Sequence, residues 1–417
     1  MNDFPRPRSY ARQTPPAPFA ANPAPEGSET WRTPWVQIKY FSYNPCIYRS
    51  MLKAASRDAK AGGLVHVYDR QGNPFGAALY NRDARVPLRV LCHGDIVADE
   101  TLLPALVERA CVLRQDTLRL QETSDAYRLI HSDADSLSGL IVDRYADVLS
   151  IEVHSLGIYL RLPKIIEQLH QRVGTSRQIV QVDPRIARME DIRINDDLTT
   201  PGVREVKIRE NNVRYAVNFE EGHKTGFFCD QRDNRARLAR WATGPRLLDL
   251  CCYTGGFSIS AKLQGKVEDV TAVDLDEKAI EQGRRNANLN QARINWVHAD
   301  AFSYARQMQK NGEQWDTVIL DPPKFMDDRD APGEGYKRYE DLNTLGISLL
   351  KPGGLLVTCS CSGLLPMEEF ERILVRAAHR QNRRLQFLDF TGPGPDHPVM
   401  SNCPESRYLK VAWARLV

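Results

Sequence analysis

Residues 246–258 read RLLDLCCYTGGFS. A short apolar run carries Asp249 near its end. Then come Cys251-Cys252-Tyr253-Thr254-Gly255-Gly256-Phe257 and the helix-compatible SISAKLQ. Strand, tight glycine turn and helix form the opening of a βαβ unit, where paired glycines let the backbone approach a ligand closely. The pattern is not G-x-G-x-x-G and no Lys-Ser or Lys-Thr pair follows, which excludes a P-loop.

Downstream, strand and helix signals alternate to the end of the chain. DVTAVDLD precedes EKAIEQGRRNANLN, INWVHAD precedes AFSYARQMQK, and WDTVILDPP precedes YEDLNTLGISLL; GGLLVTCS follows. Such alternation predicts a doubly wound, mostly parallel sheet with its ligand site at the carboxyl ends of the strands. Four strands end near an acid: Asp249, Asp274, Asp300 and Asp321. Each taken alone reads most simply as a helix N-cap or turn residue, and Asp274 could cap the helix starting near Glu277. Together they fit S-adenosylmethionine, with Asp274 accepting ribose hydroxyls, better than a nicotinamide or a nucleoside triphosphate.

Upstream, residues 203–220 give a hairpin turning at Asn211-Asn212, and the C-terminal domain is expected to span 206–417, hairpin included. Residues 100–205 mix two amphipathic helices, LLPALVERACVL and LRLPKIIEQLHQRV, with three strands in AYRLIHSDADSLSGLIVDRYADVLSIEVHS, and predict a central α+β domain. Residues 35–99 alternate apolar and polar positions around turns such as Gln71-Gly72-Asn73-Pro74 and predict a small β-rich domain. Residues 1–34 are rich in Pro and Ala without apolar periodicity, which predicts a disordered tail.

Composition narrows the class. The 417 residues exceed one ordinary core, and 42% hydrophobic with 26% charged residues is a globular balance. No apolar run approaches the ~20 residues of a membrane span. Nine scattered cysteines form no disulfide framework and suggest a reducing, cytoplasmic setting. A net charge of +3 is compatible with nucleic-acid binding without arguing for it. Cys251-Cys252 has the spacing of no zinc site, so no metal is expected. The oligomeric state stays open, a homodimer included.

DLCCYTGGFS, VDLDEKAIEQGRRNANLN, DPPKF, CSCSGL, PDHPV and the closing RYLK together resemble the RlmI-type class I methyltransferases. That family makes 5-methylcytosine in large-subunit ribosomal RNA. The resemblance extends over residues 35–417 and includes EGHKTGFFCDQRDNR at 221–235. The N-terminal β-rich segment is similar to the family's PUA domain, a small RNA-binding barrel. One departure lies at Asn44-Pro45-Cys46, where the family has His-Pro-Trp.

The resemblance implies a Rossmann-like methyltransferase sheet, S-adenosylmethionine as cofactor and RNA as partner. It also implies a cofactor site drawn from Asp249, Tyr253, Thr254, Gly255, Gly256, Phe257, Asp274, Asp300 and Asp321, with Gln231 and Arg232 either touching the cofactor or seating the hairpin. C5 of cytosine needs activation by a thiolate at C6 before it can accept a methyl group, so the pocket needs a cysteine and an acid. Cys359 and Cys361 share a strand face, and side-chain parity does not separate them. Alignment of Cys-Ser-Gly onto the family motif makes Cys361 the expected nucleophile. Asp321 would activate the base, and Lys324 would lower a thiol pKa or meet a phosphate. His397 reads as a loop histidine bonded to backbone, with a proton acceptor as the alternative.

Overall fold

The computed structural model describes residues 24–220, 226–326 and 332–417. The first 23 positions of the expected tail and positions 221–225 of the EGHKTG stretch lie outside them. The chain divides into two compact units.

The first unit comprises residues up to Leu103 together with two later excursions, Val153–Lys164 and Val182–Ile194. Its six strands are β1 (Trp35–Ile38), β2 (Cys46–Ile47), β3 (Leu52–Ala55), β4 (Gly63–Tyr68), β5 (Pro74–Tyr80) and β6 (Leu88–His93). They form one sheet in the order β2-β6-β5-β4-β1-β3. Val36, Ile38, Val65, Val67, Ala78 and Val90 fill its core. The folded part starts earlier than the sequence suggested. Trp31 stacks on Tyr68 with ring centroids 4.3 Å apart, and this aromatic burial orders a segment that lacks periodicity. The two excursions are fastened by Glu190, which is 4% exposed. Its carboxylate accepts from Asn81 Nδ2 at 3.1 Å, Leu156 N at 3.1 Å and Arg89 Nη2 at 3.3 Å.

The second unit opens with α1 (Leu102–Val112), whose first two residues belong to the first unit. A four-stranded sheet follows, of β7 (Ala126–His131), β8 (Leu140–Tyr145), β9 (Val148–Val153) and β10 (Arg177–Gln181), in the order β10-β9-β8-β7. Helix α2 (Leu156–Tyr159) and helix α4 (Pro184–Glu190) belong to the first unit's excursions, and α3 (Leu162–Val173) enters the second unit from Ile165. The hairpin of β11 (Glu205–Glu210) and β12 (Val213–Asn218) turns at Asn211-Asn212, as expected. Both asparagines have positive φ, 48° and 68°, the conformation of a tight two-residue hairpin turn.

The large sheet contains β13 (Arg246–Leu250), β14 (Asp269–Asp274), β15 (Asn295–His298), β16 (Trp315–Leu320), β17 (Leu350–Ser360), β18 (Leu385–Thr391) and β19 (Lys410–Leu416). Its order is β15-β14-β13-β16-β17-β19-β18. The first five strands run parallel and β19 is antiparallel to both its neighbours. The helices are α5 (Arg232–Trp241), α6 (Gly256–Gln264), α7 (Glu277–Leu289), α8 (Ala301–Lys310), α9 (Pro332–Ser348) and α10 (Met367–Arg380). Leu248, Leu250, Val318 and Leu320 pack on one face of the sheet, and Leu247, Ile319, Val357 and Trp413 on the other. Each such aliphatic side chain contributes about 1.5–3 kcal/mol of burial. Strand order reverses between β13 and β16, which opens a crevice at their carboxyl ends.

A cluster of buried ion pairs lies beneath this framework. Arg114 is fully buried, with Nη1 2.6 Å from Asp135 Oδ1 and Nη2 donating to the Asp396 carbonyl at 2.8 Å. Arg232 grips the Asp396 carboxylate with both terminal nitrogens, at 3.0 and 2.9 Å. Burial alone would raise the Asp396 carboxyl, but the charges of His397 and Arg232 outweigh it and hold the group well below the usual range. Among the described residues no helix is long and apolar enough to cross a membrane.

Candidate active site

The crevice collects side chains from four strand ends. β13 leads into a loop where Cys251, Tyr253 and Gly255 all have positive φ, at 63°, 48° and 80°. Gly255 is required twice over: by that φ, and because a Cβ there would lie 2.3 Å from the Trp296 ring. The tight approach at this glycine is therefore to Trp296 of β15, where the sequence suggested a ligand. Gly256 begins α6 against the Arg235 side chain. Thr254 is buried, and its carbonyl accepts from Asn286 Nδ2 at 3.3 Å. Phe257 packs in the core with Leu247 and Val357.

The acids divide by environment. Asp274, half-buried, does not cap a helix: Asp276 caps α7, accepting from Lys278 N and Ala279 N. Asp274 instead takes Tyr253 N at 2.7 Å and Asp276 N at 2.9 Å, so its carboxylate is held beside the glycine loop. Asp300 is an N-cap after all, its Oδ1 accepting from Ser303 N and Oγ, both at 2.9 Å. Asp249 is fully buried, with Oδ2 accepting from Ser258 Oγ at 2.6 Å and Oδ1 buried without a partner. Burial pushes Asp249 up to about 7, against the Ser258 hydrogen bond.

Asp321 follows β16. Burial raises it to about 7, helped by the carboxylates of Asp230 and Asp249 and opposed by Gln231. Gln231 Nε2 donates to Asp321 Oδ2 at 3.1 Å and reaches Cys359 Sγ at 3.6 Å, while its Oε1 accepts from Asn234 Nδ2 at 2.7 Å. Gln231 is thus an orienting group for Asp321. Arg232 next to it points away into the ion cluster, and its guanidinium is committed to Asp396 and Asp233. This corrects its expected cofactor contact. The hairpin is seated by Arg235, which forks onto Glu210 with two 2.7 Å bonds. Nothing in the sequence marked Arg235 out from the other arginines of its helix.

The two thiols differ sharply. Cys359 lies inside β17, paired with Val411 and fully buried. Burial, with Asp321 nearby, drives its thiol well above the usual range. Cys361 is the first residue beyond the strand, half-buried, with Sγ 3.9 Å from the Pro322 carbonyl of the Asp-Pro-Pro segment. Lys324 is exposed in the same segment. His397 is buried, its Nδ1 3.3 Å from Asp396 Oδ1 and its ring 5.1 Å from that of His131. Its backbone N donates to the Gly394 carbonyl at 2.9 Å, close to the loop-histidine reading. Two further residues had no sequence signal. Asp230 accepts from Tyr408 Oη at 2.6 Å, and Lys410 is buried at the start of β19. Among the described residues no cluster of three metal-ligating side chains occurs and no disulfide forms.

The unpartnered Oδ1 of Asp249 and the loop-anchored carboxylate of Asp274 suit a group bearing hydroxyl and ammonium donors, which S-adenosylmethionine carries. Comparison with known proteins agrees. A model for S-adenosylmethionine-dependent methyltransferases matches residues 191–405, and one for a PUA-like domain matches residues 38–93. Ribosomal RNA large subunit methyltransferase I of Erwinia tasmaniensis is 31% identical over 382 residues, 90% of this chain and 96% of the relative. The Yersinia pseudotuberculosis protein of the same name is also 31% identical over 382 residues. Among solved structures, one described as a methyltransferase complexed with SAH has a TM-score of 0.73 at 21% identity, covering 91% of this chain and 99% of that one. A Streptococcus mutans protein assigned as a SAM-dependent methyltransferase has a TM-score of 0.71 at 21% identity, covering 86% and 93% of the two chains. By sequence and by fold, the chain belongs to the S-adenosylmethionine-dependent methyltransferase family, with S-adenosylmethionine as its cofactor and a PUA-like domain near its N-terminus.

Proposed function

We propose that the protein methylates C5 of cytosine in large-subunit ribosomal RNA, in the cytoplasm, through a covalent bond between Cys361 and cytosine C6. The observation that carries this reading is the contrast between the thiols: Cys361 emerges half-buried beside the Asp-Pro-Pro segment, whereas Cys359 is sealed in the strand. The ribosomal RNA relatives support the substrate class.

Asp274 would hold the ribose, with Asp300 and the Tyr253–Gly256 loop around the rest of the cofactor. When bound, S-adenosylmethionine supplies the electrophilic methyl group. The Cys361 thiolate adds to C6, forming the S–C6 bond and pushing electron density toward C5 and N3. Asp321, raised to about 7 and so partly protonated near neutrality, donates a proton or hydrogen bond at N3 to relieve that charge. After C5 is methylated, its proton leaves to a base and the S–C6 bond breaks, returning the thiolate and restoring the aromatic ring. Gln231 keeps the Asp321 carboxyl oriented throughout. Lys324, exposed two residues beyond Pro322, would meet RNA phosphate. A target base in structured RNA must be turned out of its stack to enter such a crevice.

Trapping with 5-azacytidine-substituted ribosomal RNA, followed by peptide mapping, tests this. An adduct on Cys361 is expected. Labelling of Cys359 would overturn the assignment, and full activity in Cys361→Ala would sink the covalent mechanism.

A further inference from the structure

The least expected group in the second unit is Lys410, a lysine only 2% exposed. It opens β19 and pairs with Ser360, the last residue of β17. Its Nζ donates to the Ser362 carbonyl at 2.8 Å and to the Tyr408 carbonyl at 2.8 Å. An ammonium has three N–H donors, so two bonds to neutral carbonyls leave one donor and the whole charge uncompensated. Among the described residues no carboxylate lies within ion-pair distance of it. Burying a cation this way is costly unless an anion stands close. The Ser362 carbonyl belongs to the residue immediately after Cys361, so the ammonium is fixed against the segment that carries the thiol.

We propose that Lys410 is a positioning residue that holds Cys361 in its thiolate form, the buried ammonium serving as the counter-ion of the nucleophile. The proposal rests on the reading of Cys361 as the attacking thiol. Burial pushes Lys410 down to about 8, and Cys361 is the group that opposes the shift. A lysine beside a cysteine lowers the thiol's pKa and raises the fraction ready to attack. The other titratable groups around this segment are few. Tyr339 of α9 hydrogen-bonds with Ser362 Oγ at 2.9 Å. Cys359 lies two residues back on β17, with Asp321 against it from the end of β16. Tyr408 is tied to Asp230. Lys324, exposed in the Asp-Pro-Pro segment, is the other cation of this region; Lys410 is the buried one, bonded to the residue that follows Cys361. In the reaction Lys410 acts through its charge and transfers no proton to substrate: as the S–C6 bond forms, negative charge leaves the sulfur, and it returns when that bond breaks.

The test is the pH dependence of Cys361 alkylation by iodoacetamide in the full-length protein, read by peptide mass spectrometry with Cys359 as internal control. In the unaltered protein the Cys361 midpoint should fall below the ordinary thiol value of about 8.5. In Lys410→Met it should rise by about one pH unit, lowering the alkylation rate at pH 7 about tenfold, while Lys410→Arg should keep most of the effect. A midpoint at or above about 8.5 in the unaltered protein overturns the proposal without any variant. So does an unchanged midpoint in folded Lys410→Met. Adduct mapping is a separate readout. Trapping on Cys359 together with a Lys410-dependent Cys361 midpoint would refute the nucleophile and leave the pairing standing.

Discussion

Two sets of carboxylates in the second unit are treated oppositely. Asp396 sits among cations and is held well below the usual carboxylate range. Asp249 and Asp321, at the carboxyl ends of β13 and β16, have other carboxylates as neighbours and are pushed up to about 7. The first arrangement is saturated: Arg232 and the Arg128 backbone N bond the Asp396 carboxylate, and Arg114 bonds its backbone carbonyl. The second is under-compensated, with Asp249 Oδ1 lacking any partner. Full compensation serves stability, because removing one member strands the others. Partial compensation keeps a proton available near neutrality, which a base-activating acid needs.

The contrast can be broken by substitution at each end. Asp396→Ala should destabilise the fold by about 3–5 kcal/mol, since it leaves the buried Arg232 guanidinium without its partner; urea denaturation measures this. Asp321→Asn should lower methylation of a ribosomal RNA substrate about 10²–10⁴-fold while leaving stability unchanged or raised. A single-turnover assay beside a melting curve separates the two effects. An Asp321→Asn protein that loses stability as Asp396→Ala does would erase the distinction.

The same contrast has a pH signature. Asp249 has a folded pKa raised above its unfolded value, so the folded state binds more protons between about 4 and 7, and stability falls as pH rises through that window. Between pH 5 and 8 the loss from this one group should be about 2 kcal/mol, and Asp249→Asn should flatten that part of the profile. Asp396 behaves in the opposite sense: its stabilisation is present at neutral pH and is lost as acid protonates it below the usual carboxylate range. The smallest effect belongs to a residue outside both groups. Asp276→Ala removes the α7 cap and should cost about 1 kcal/mol, with Asp274 still bound to Tyr253 N.

Much of the architecture was legible before any coordinates, because alternating strand and helix patterns are local. The parallel sheet and the hairpin at Asn211-Asn212 follow from such patterns. What was not legible depends on long-range pairing. Arg114 and Asp396 are 282 positions apart, and no spacing rule connects them. The same limit applies to Arg232, whose neighbour Gln231 reaches the pocket while its own side chain turns the other way. Asp274 and Asp276 are both acids at a strand-to-helix turn, and only the hydrogen bonds show which one caps the helix. The motif likewise marks Phe257 as a position along the chain without saying that its ring faces inward.

The end of β17 decides between two chemically identical sulfur atoms. Cys359 pairs with Val411 and Ser360 with Lys410, and there the ladder stops. Backbone register thus acts as a selector: the last rung with β19 sets which thiol stays in the interior and which reaches the crevice. A slip of two residues would preserve every side chain's face and still exchange the two sulfurs. Which thiol is sealed and which is accessible is therefore a matter of counting rungs, and the strand pairing that folds the sheet also sets the surroundings of each sulfur.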